Sequence, residues 1–316
     1  FMEIIYELNS FCSTQRTSLT IGNFDGFHKG HQVVINRLIK CSKKKSDQSV
    51  VITFDPHPLK VLNPNGAPAL ISTLEEKIDL LKDTNLDTLV LLKFDNDLSR
   101  ISPQSFVTEI LVEKFHIRDL FIGNNFSFGY QRSGNPTLLQ ELSKSLDFSV
   151  HTLPGVLVKG YRVSSSYIRD LVRCGRITSA NRFLGRPFSL SGKIIPGDGL
   201  GKEHLLPTLN MEPIGELIPQ SGVYVTETEF EKTVWPSITN VGVRPTLSNK
   251  ILRIETHILD SDIPKTPKNI KVSFLYRLRD EHKFNSLSDL KQQMLKDCTR
   301  ARRFLNLFNL SFKTAK

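Results

Sequence analysis

Residues 19–31 read Leu19-Thr20-Ile21-Gly22-Asn23-Phe24-Asp25-Gly26-Phe27-His28-Lys29-Gly30-His31. An apolar strand ends at Ile21, a glycine-rich turn follows, and two histidines three residues apart begin a helix. The first turn of a helix has unpaired N–H groups and the positive end of the helix dipole, so it attracts phosphate. Two imidazoles there can donate hydrogen bonds to a phosphorus centre as charge builds on it. This pattern predicts a site that transfers a nucleotide from a triphosphate.

Strand and helix patterns alternate through the first half of the chain. The expected strands are 18–21, 49–54, 88–94, 119–122 and 149–153. The expected helices are 30–41, a helix opened by a capping box at Ser72-Thr73-Leu74-Glu75, 102–115 and 136–146. This order predicts a parallel sheet with helices on both sides. Ligands of such sheets lie at the carboxyl ends of the strands, where residues 22–31 and 123–129 are expected.

The pattern changes after about residue 186. Short β-rich segments follow at 188–195, 222–230, 237–241, 251–259 and 270–278, separated by glycine and proline. They predict a small antiparallel barrel or sandwich. A final helix over 286–305 has an apolar stripe from Leu287 to Leu305. We therefore expect two domains, 1–184 and 185–316.

Composition narrows the class of protein. The chain has 316 residues and a formal net charge of +10. A solvated basic surface and attraction of polyanions both explain this charge, but the basic residues are scattered and no RNA-recognition motif is found. The four cysteines form no CxxC pair, so neither a zinc site nor a disulfide framework is expected. We expect a cytoplasmic protein without nucleic-acid or membrane partners; weak homo-oligomerisation stays open.

A second motif supports the first. Residues 163–169 read Val163-Ser164-Ser165-Ser166-Tyr167-Ile168-Arg169, with hydroxyls at a helix start and a guanidinium about one turn later. Capping alone would explain one serine, but not three serines followed by Arg169. A triphosphate would use both features, because hydroxyls bind its oxygens and Arg169 offsets its charge.

The motifs resemble those of the bacterial bifunctional riboflavin kinase/FMN adenylyltransferases, also called FAD synthetases. The resemblance rests on GNFDG with HxGH, Thr53-Phe54-Asp55-Pro56-His57-Pro58, Gly123-Asn124-Asn125-Phe126-Ser127-Phe128-Gly129, SSSxIR, Leu184-Gly185-Arg186-Pro187-Phe188, Asn240-Val241-Gly242-Val243-Arg244-Pro245-Thr246 and Glu255-Thr256-His257. It covers nearly the whole chain. It implies an α/β nucleotidyltransferase-like parallel-sheet domain, followed by a riboflavin kinase-like antiparallel β-barrel with a C-terminal helix.

The resemblance also implies two reactions, in which ATP phosphorylates riboflavin to FMN and a second ATP transfers AMP to FMN, giving FAD and pyrophosphate. Mg²⁺ is the implied cofactor. The residues implied for catalysis are His28, His31, Arg169 and Glu255, the last as general base. Those for ATP are Gly22, Phe24, Asp25, Gly26, Gly30, Ser164, Ser165, Gly197, Gly199, Gly201 and Lys202. Those for the flavin are Asp55, His57, Pro58, Asn125, Asn240, Arg244, Thr246 and Arg279. Thr208 and Asn210 are implied as metal ligands.

The second half departs from the family pattern. Leu205 stands where the family has glycine before Pro207-Thr208-Leu209-Asn210, and Glu203 adds a negative charge nearby. A leucine adds bulk and disfavours positive φ. Ser261–Lys265 replace a Tyr-Gly pair, and in the first half Asn124 replaces an acidic residue. An adenylyltransferase whose kinase domain is impaired or regulatory is therefore the alternative.

Overall fold

A computed structural model describes residues 1–6, 8, 11–196, 206–245, 250–260 and 266–307, without the side chains of 244, 245, 250 and 251. The chain groups into two compact units. The first comprises Phe1–Ala69 and Thr73–Ser164, and the second comprises Leu70–Ser72 and Ser165–Lys316. Each unit is described separately below.

The first unit contains a six-stranded sheet in the order β1-β4-β3-β2-β5-β6. The strands are β1 (Glu3–Ile5), β2 (Thr17–Ile21), β3 (Gln48–Asp55), β4 (Thr88–Lys93), β5 (Ile117–Gly123) and β6 (Ser149–Leu153). Every neighbouring pair is parallel, which confirms the expected α/β class. The strand order reverses between β2 and β5, and such a switch point opens a crevice at the carboxyl ends of the two strands.

Six helices accompany this sheet in the described part of the unit. They are α1 (Lys29–Lys45), α2 (Pro58–Leu62), α3 (Leu74–Lys82), α4 (Asn96–Arg100), α5 (Pro103–Ser105) and α6 (Pro136–Ser145). Single 3₁₀ turns occupy Asp25–Phe27, Pro64–Gly66 and Tyr130–Arg132, and a two-stranded hairpin joins β7 (Leu157–Val158) to β8 (Tyr161–Arg162).

Two helix predictions need correction. The capping box of α3 pairs Thr73 with Glu76, one residue later than expected, because the sequence Ser-Thr-Leu-Glu-Glu fits the box motif in two frames. The expected helix 102–115 is α-helical only over Pro103–Ser105 and continues as a π-helix over Phe106–Val112. Both helix types place residues 106, 107, 110 and 111 on the buried side, so the apolar spacing does not separate them.

Both faces of the sheet are covered. Val50 and Ile52 of β3 belong to a buried cluster with Phe106 and Leu111, whereas Val51 between them belongs to a second cluster with α1 and α3. Successive side chains of a strand point to opposite faces, so two helical layers are needed to bury consecutive apolar residues. This packing fixes the strand ends that carry the functional loops.

The second unit is a barrel with attached helices. Its helices are α7 (Ser165–Arg173), α8 (Ile177–Leu184) and α9 (Leu287–Leu307), and its strands are β9 (Phe188–Ile195), β10 (Leu209–Pro213), β11 (Gly222–Phe230), β12 (Thr233–Pro245), β13 (Lys250–Ile258) and β14 (Asn269–Arg279). The closed order is β10-β13-β12-β11-β14-β9, with antiparallel neighbours. Of the two expected architectures, the structure therefore has the barrel. The sequence analysis missed β10 and α8.

The two faces of the barrel wall are buried in different ways, one by apolar contacts with α9 and the other through a row of hydroxyls. Cys298, Ala301 and Leu305 of α9 pack on Val225 and Leu259, although Leu287, expected in the same stripe, is 48% exposed. Five fully buried hydroxyls form a continuous hydrogen-bonded row: Thr228, Ser237, Thr226, Thr239 and Thr256. Because each hydroxyl has a partner, the row can be buried at little cost. Within the described ranges, no helix has the length and hydropathy needed to span a bilayer.

Candidate active sites

The first candidate site lies at the switch point between β2 and β5. The turn after β2 carries Gly22, Phe24, Asp25 and Gly26, and leads directly into α1. Phe24 has φ 46° and Gly26 has φ 74°, both in the left-handed region. Glycine adopts this conformation without the steric cost that other residues meet. The turn therefore directs the chain into α1 within a few residues of the strand end.

His28 is the N-cap of α1, and His31 lies one turn into the helix. The backbone N–H of His31 donates to His28 Nδ1 at 3.3 Å, and the two rings stack with centroids 3.6 Å apart. Because Nδ1 of His28 accepts a hydrogen bond, the proton of its neutral ring lies on Nε2. A Cβ at Gly30 would lie 3.1 Å from the His28 ring. Glycine at position 30 therefore allows the ring to lie against the helix.

His31 is held as a neutral imidazole. Burial is the main reason that the pKa of His31 lies well below its usual 6.5, and the electrostatic interactions with His28 and Lys77 lower the pKa further. Its Nδ1 is buried without a hydrogen-bond partner in the described structure, and the edge of its ring meets Phe24 with centroids 5.2 Å apart. A neutral ring next to a helix N-terminus can offer an N–H to a phosphate oxygen without adding a buried charge.

The loop after β3 joins the turn after β2. Asn23 Nδ2 and His57 Nε2 are 3.1 Å apart, and His57 Nδ1 accepts from the backbone N–H of Leu59 at 3.2 Å, which caps α2. Thr53 also donates to the carbonyl of Asn23 at 3.2 Å. Asp55, His57 and Pro58 thus lie beside the histidine turn, as sequence reasoning expected of substrate-placing residues.

The structure also describes Asn125 and the residues of the second predicted phosphate motif. Asn125 is exposed in the loop after β5, at the other side of the switch point. Val163, the residue before Ser164, is buried and would meet a Cβ at Gly30 at 4.0 Å. The second motif thus begins next to the first turn of α1. Ser165 and Arg169 lie on α7, which groups with the second unit, and Arg169 is 7% exposed.

The second candidate site is on the outer side of the barrel wall. Asn210 of β10 and Asn240 of β12 both pair in register with Glu255 of β13. Residues in register across neighbouring strands point to the same face, so the three side chains form a polar row across β10, β13 and β12. Ile254, Thr256 and Ile258 are buried on the other face of β13, which confirms the predicted alternation.

The turn that presents Thr208 is held against β13. His257 Nδ1 lies 2.8 Å from the carbonyl oxygen of Pro207, so the imidazole donates to that carbonyl. Thr208 lies two residues before Asn210, and both are partly buried. The hydroxyl oxygen of Thr208 and the amide oxygen of Asn210 are ligand types that Mg²⁺ accepts, so these two residues fit this cation.

Of the other predicted barrel residues, the structure describes Arg279 and the backbone of Arg244. Arg279 is 2.8 Å from Asp297 of α9 and also donates to the carbonyl of Asp280, so its guanidinium fastens α9 to the barrel. Arg244 is at the end of β12. The remainder lie outside the described residues: Gly197, Gly199, Gly201, Lys202 and Thr246, together with Glu203, Leu205 and 261–265.

Sequence reasoning missed four residues that support these sites. They are Asn23 and Thr53, which link the loops, His257, which holds the turn at Pro207, and Lys77, a buried cation near His31. His257 was visible only as part of a motif, and no local pattern distinguishes Lys77 from an ordinary helix lysine. The described part of the chain has no group of three or more His, Cys, Asp or Glu residues that could hold a metal ion.

Comparison with known proteins matches two families to successive parts of the chain. A family model described as FAD synthetase matches residues 11–167, and one described as riboflavin kinase matches residues 184–305. Bifunctional riboflavin kinase/FMN adenylyltransferases from Buchnera aphidicola (Schizaphis graminum strain) and Escherichia coli K12 are each 32% identical, over 92% of this chain and 95% and 93% of theirs. The enzyme from Pseudomonas fluorescens is 33% identical over 90% of this chain and 91% of its own.

A solved structure has a similar fold. A crystal structure described as a macrolide-efflux protein from Streptococcus pneumoniae is 25% identical, covers 95% of this chain and 99% of its own, and has a TM-score of 0.87. That description concerns the other protein, and the likeness here is one of fold. Two family models in sequence order and relatives matched over nearly their full length lead to one conclusion: the chain belongs to the bifunctional riboflavin kinase/FMN adenylyltransferase family.

Proposed function

We propose that this protein makes FAD from riboflavin in two steps. The riboflavin 5′-hydroxyl attacks the γ-phosphorus of ATP and gives FMN and ADP. An FMN phosphate oxygen then attacks the α-phosphorus of a second ATP, and pyrophosphate leaves. The observation that carries the proposal is the stacked pair His28 and His31 at the N-terminus of α1, at the switch point of the sheet.

Adenylyl transfer follows from positioning and charge. The glycine turn and the N–H groups of α1 bind the triphosphate, and Nε2–H of His28 together with His31 donates to the reacting phosphates. Ser164, Ser165 and Arg169 hold the departing pyrophosphate. Asn125 and the loop Asp55–Pro58 place the FMN phosphate in line with the α-phosphorus. No covalent bond to the protein is required.

Phosphorylation of riboflavin uses the polar row on the barrel. Glu255 takes the proton of the 5′-hydroxyl as the oxygen attacks the γ-phosphorus. Thr208 and Asn210 would hold Mg²⁺, which supplies charge neutralisation to the phosphate oxygens of ATP when bound. The hydrogen bond from His257 to the carbonyl of Pro207 fixes the turn so that Thr208 lies beside Asn210.

The substrates we propose are therefore riboflavin, FMN and ATP, with a functional boundary after residue 184. The four free cysteines fit a reducing compartment, and we place the reaction in the cytoplasm.

Two variants separate the two reactions. His31→Ala removes a donor from the first site, so FAD formation from FMN should fall by about 10³-fold while FMN formation from riboflavin continues. Glu255→Gln removes the general base, so FMN formation should fall by about 10²–10⁴-fold while adenylylation of FMN continues. Chromatography of flavin products from riboflavin alone and from FMN alone measures both. If each variant lost both reactions equally, separate sites would be excluded.

The alternative is an adenylyltransferase whose barrel only binds flavin. Leu205 and Glu203, at positions where the family has other residues, favour it. Incubation of the unaltered protein with riboflavin, ATP and Mg²⁺ decides between the two functions. FMN or FAD appears if the kinase works, and neither appears if the barrel only binds flavin, even though FMN is still adenylylated.

A further inference from the structure

Lys77 is a buried lysine on α3. Lys77 is only 9% exposed to solvent. Lys82 on the same helix has a side chain that is 51% exposed and pairs with Asp79 at 3.1 Å. Burying an ammonium group is costly unless charges or hydrogen bonds compensate it. The surroundings of Lys77 must therefore supply that compensation.

The first part of the surroundings is the turn that leads into α1. Helix α3 packs against the turn Asp25–Phe27, with Leu81 in the same buried cluster as Phe24 and Phe27. Lys77 Nζ lies 3.5 Å from Thr53 Oγ1, and this hydroxyl donates to the carbonyl of Asn23. The ammonium group therefore lies directly behind the phosphate-binding turn.

The second part is a set of charges. Burial lowers the pKa of Lys77, while the carboxylates of Asp25 and Asp55 oppose that shift. Asp25 is itself only 3% exposed. On the other side, the charge of Lys77 contributes to the low pKa of His31. Lys77 thus interacts electrostatically with an acidic residue of the turn and with an imidazole of the site.

We propose that Lys77 is a positioning residue for adenylyl transfer, whose buried ammonium neutralises Asp25 so that the turn before α1 accepts the triphosphate of ATP. The inference rests on the function proposed for the first unit. Without Lys77, the turn would lose a buried positive charge that offsets Asp25, and the negative charge that a polyanion meets there would be larger. The loss falls on ATP binding rather than on the flavin.

The test compares Lys77→Met with Lys82→Met, the same change at an exposed position of the same helix. FAD formation from FMN is measured over a range of ATP concentrations. We expect Lys77→Met to raise the KM for ATP by about tenfold or more. The KM for FMN and the riboflavin kinase rate should stay within about twofold, as should every constant of Lys82→Met. A Lys77→Met protein that matches Lys82→Met overturns the inference.

A charge-compensated pair distinguishes electrostatics from packing. In an Asp25→Asn background, Lys77→Met should raise the KM for ATP by no more than about threefold, because the carboxylate that Lys77 neutralises is no longer present. A full tenfold effect in that background overturns the inference. If circular dichroism shows that Lys77→Met does not fold, the double variant decides: it should fold and match Asp25→Asn, and an unfolded double variant overturns the inference.

The same assays keep the two proposals apart. An unaltered protein that makes no FAD from FMN and ATP removes the proposed function. An unaltered protein that makes FAD, with Lys77→Met unchanged in its KM for ATP, removes only the role of Lys77.

Discussion

Single atoms decide the geometry of the histidine pair. The His28 ring is held between the N–H of His31, which it accepts, and the His31 ring, on which it stacks. The free space on its remaining side exists because residue 30 has no side chain. The position of the His28 ring, which we propose donates a hydrogen bond to phosphate, therefore depends on Gly30, which has no side chain of its own.

Gly30→Ala tests this dependence. The new Cβ would lie 3.1 Å from the His28 ring, so the ring would have to shift. That shift would disturb its stacking on the His31 ring. We expect kcat/KM for adenylylation of FMN to fall about tenfold to a hundredfold, because small displacements of a catalytic group are costly. Steady-state kinetics with FMN measures the loss, and the riboflavin kinase rate of the same protein is the control. Unchanged adenylylation would show that the ring can move freely.

At the scale of elements, a buried carboxylate joins two strands to a helix. Asp119 of β5 is fully buried and lies 2.6 Å from both Lys45 of α1 and His151 of β6. Burial raises the pKa of Asp119, but the hydrogen bonds and charges of Lys45 and His151 outweigh it, so the pKa lies below its usual value. This cluster fastens the C-terminal end of α1 to the same sheet whose strand β2 leads into the N-terminal end of the helix.

Asp119→Asn should lower the free energy of unfolding of the first unit by about 2 kcal/mol at pH 7, less than for a wholly buried pair because Lys45 and His151 are partly exposed. A carboxylate with a lowered folded-state pKa stabilises the fold above its unfolded pKa of about 3.9, and this stabilisation disappears as the pH falls through the folded-state value. The difference from unaltered protein should therefore shrink below about pH 4.

Urea unfolding followed by circular dichroism measures this difference at both pH values. Fluorescence of Trp235, the single tryptophan, identifies the transition of the barrel. Asp79→Asn, in an exposed pair with Lys82, is the matched control and should cost under about 0.5 kcal/mol. An equal loss for Asp119→Asn at neutral and acid pH would contradict the ion-pair explanation.

At the scale of the whole molecule, the protein has two reactions, and FMN is the product of the first and the substrate of the second. The histidine pair belongs to one compact unit, and Glu255 belongs to the other. The turn before α1 depends on the parallel sheet, and the row of Asn210, Glu255 and Asn240 depends on barrel register. We expect the FMN made at one site to reach the other through solution.

A mixture of two variants, each of which has lost one of the two reactions, tests whether FMN passes through solution. His31→Ala should make FMN only, and Glu255→Gln should adenylylate FMN only, so neither alone makes FAD from riboflavin. Mixed in equal amounts with riboflavin and ATP, they should make FAD at a rate within about tenfold of unaltered protein, because released FMN diffuses between molecules. Accumulation of FMN without FAD, despite activity of each protein on its own substrate, would show that FMN is passed on within one molecule.

Local patterns were sufficient to predict the architecture, and they supplied the candidate residues for both proposed sites. The turn Gly22–His31, the alternation of strands and helices and the in/out order of Ile251–Leu259 all depend on residues close together in the chain, so they can be read before the fold is known. Long-range packing decided the rest. The register that aligns Asn210, Glu255 and Asn240, the burial of Lys77 behind the turn and the engagement of Arg279 by Asp297 each join distant segments. Periodicity holds no information about which distant segments meet, because pairing and burial are set by the whole core.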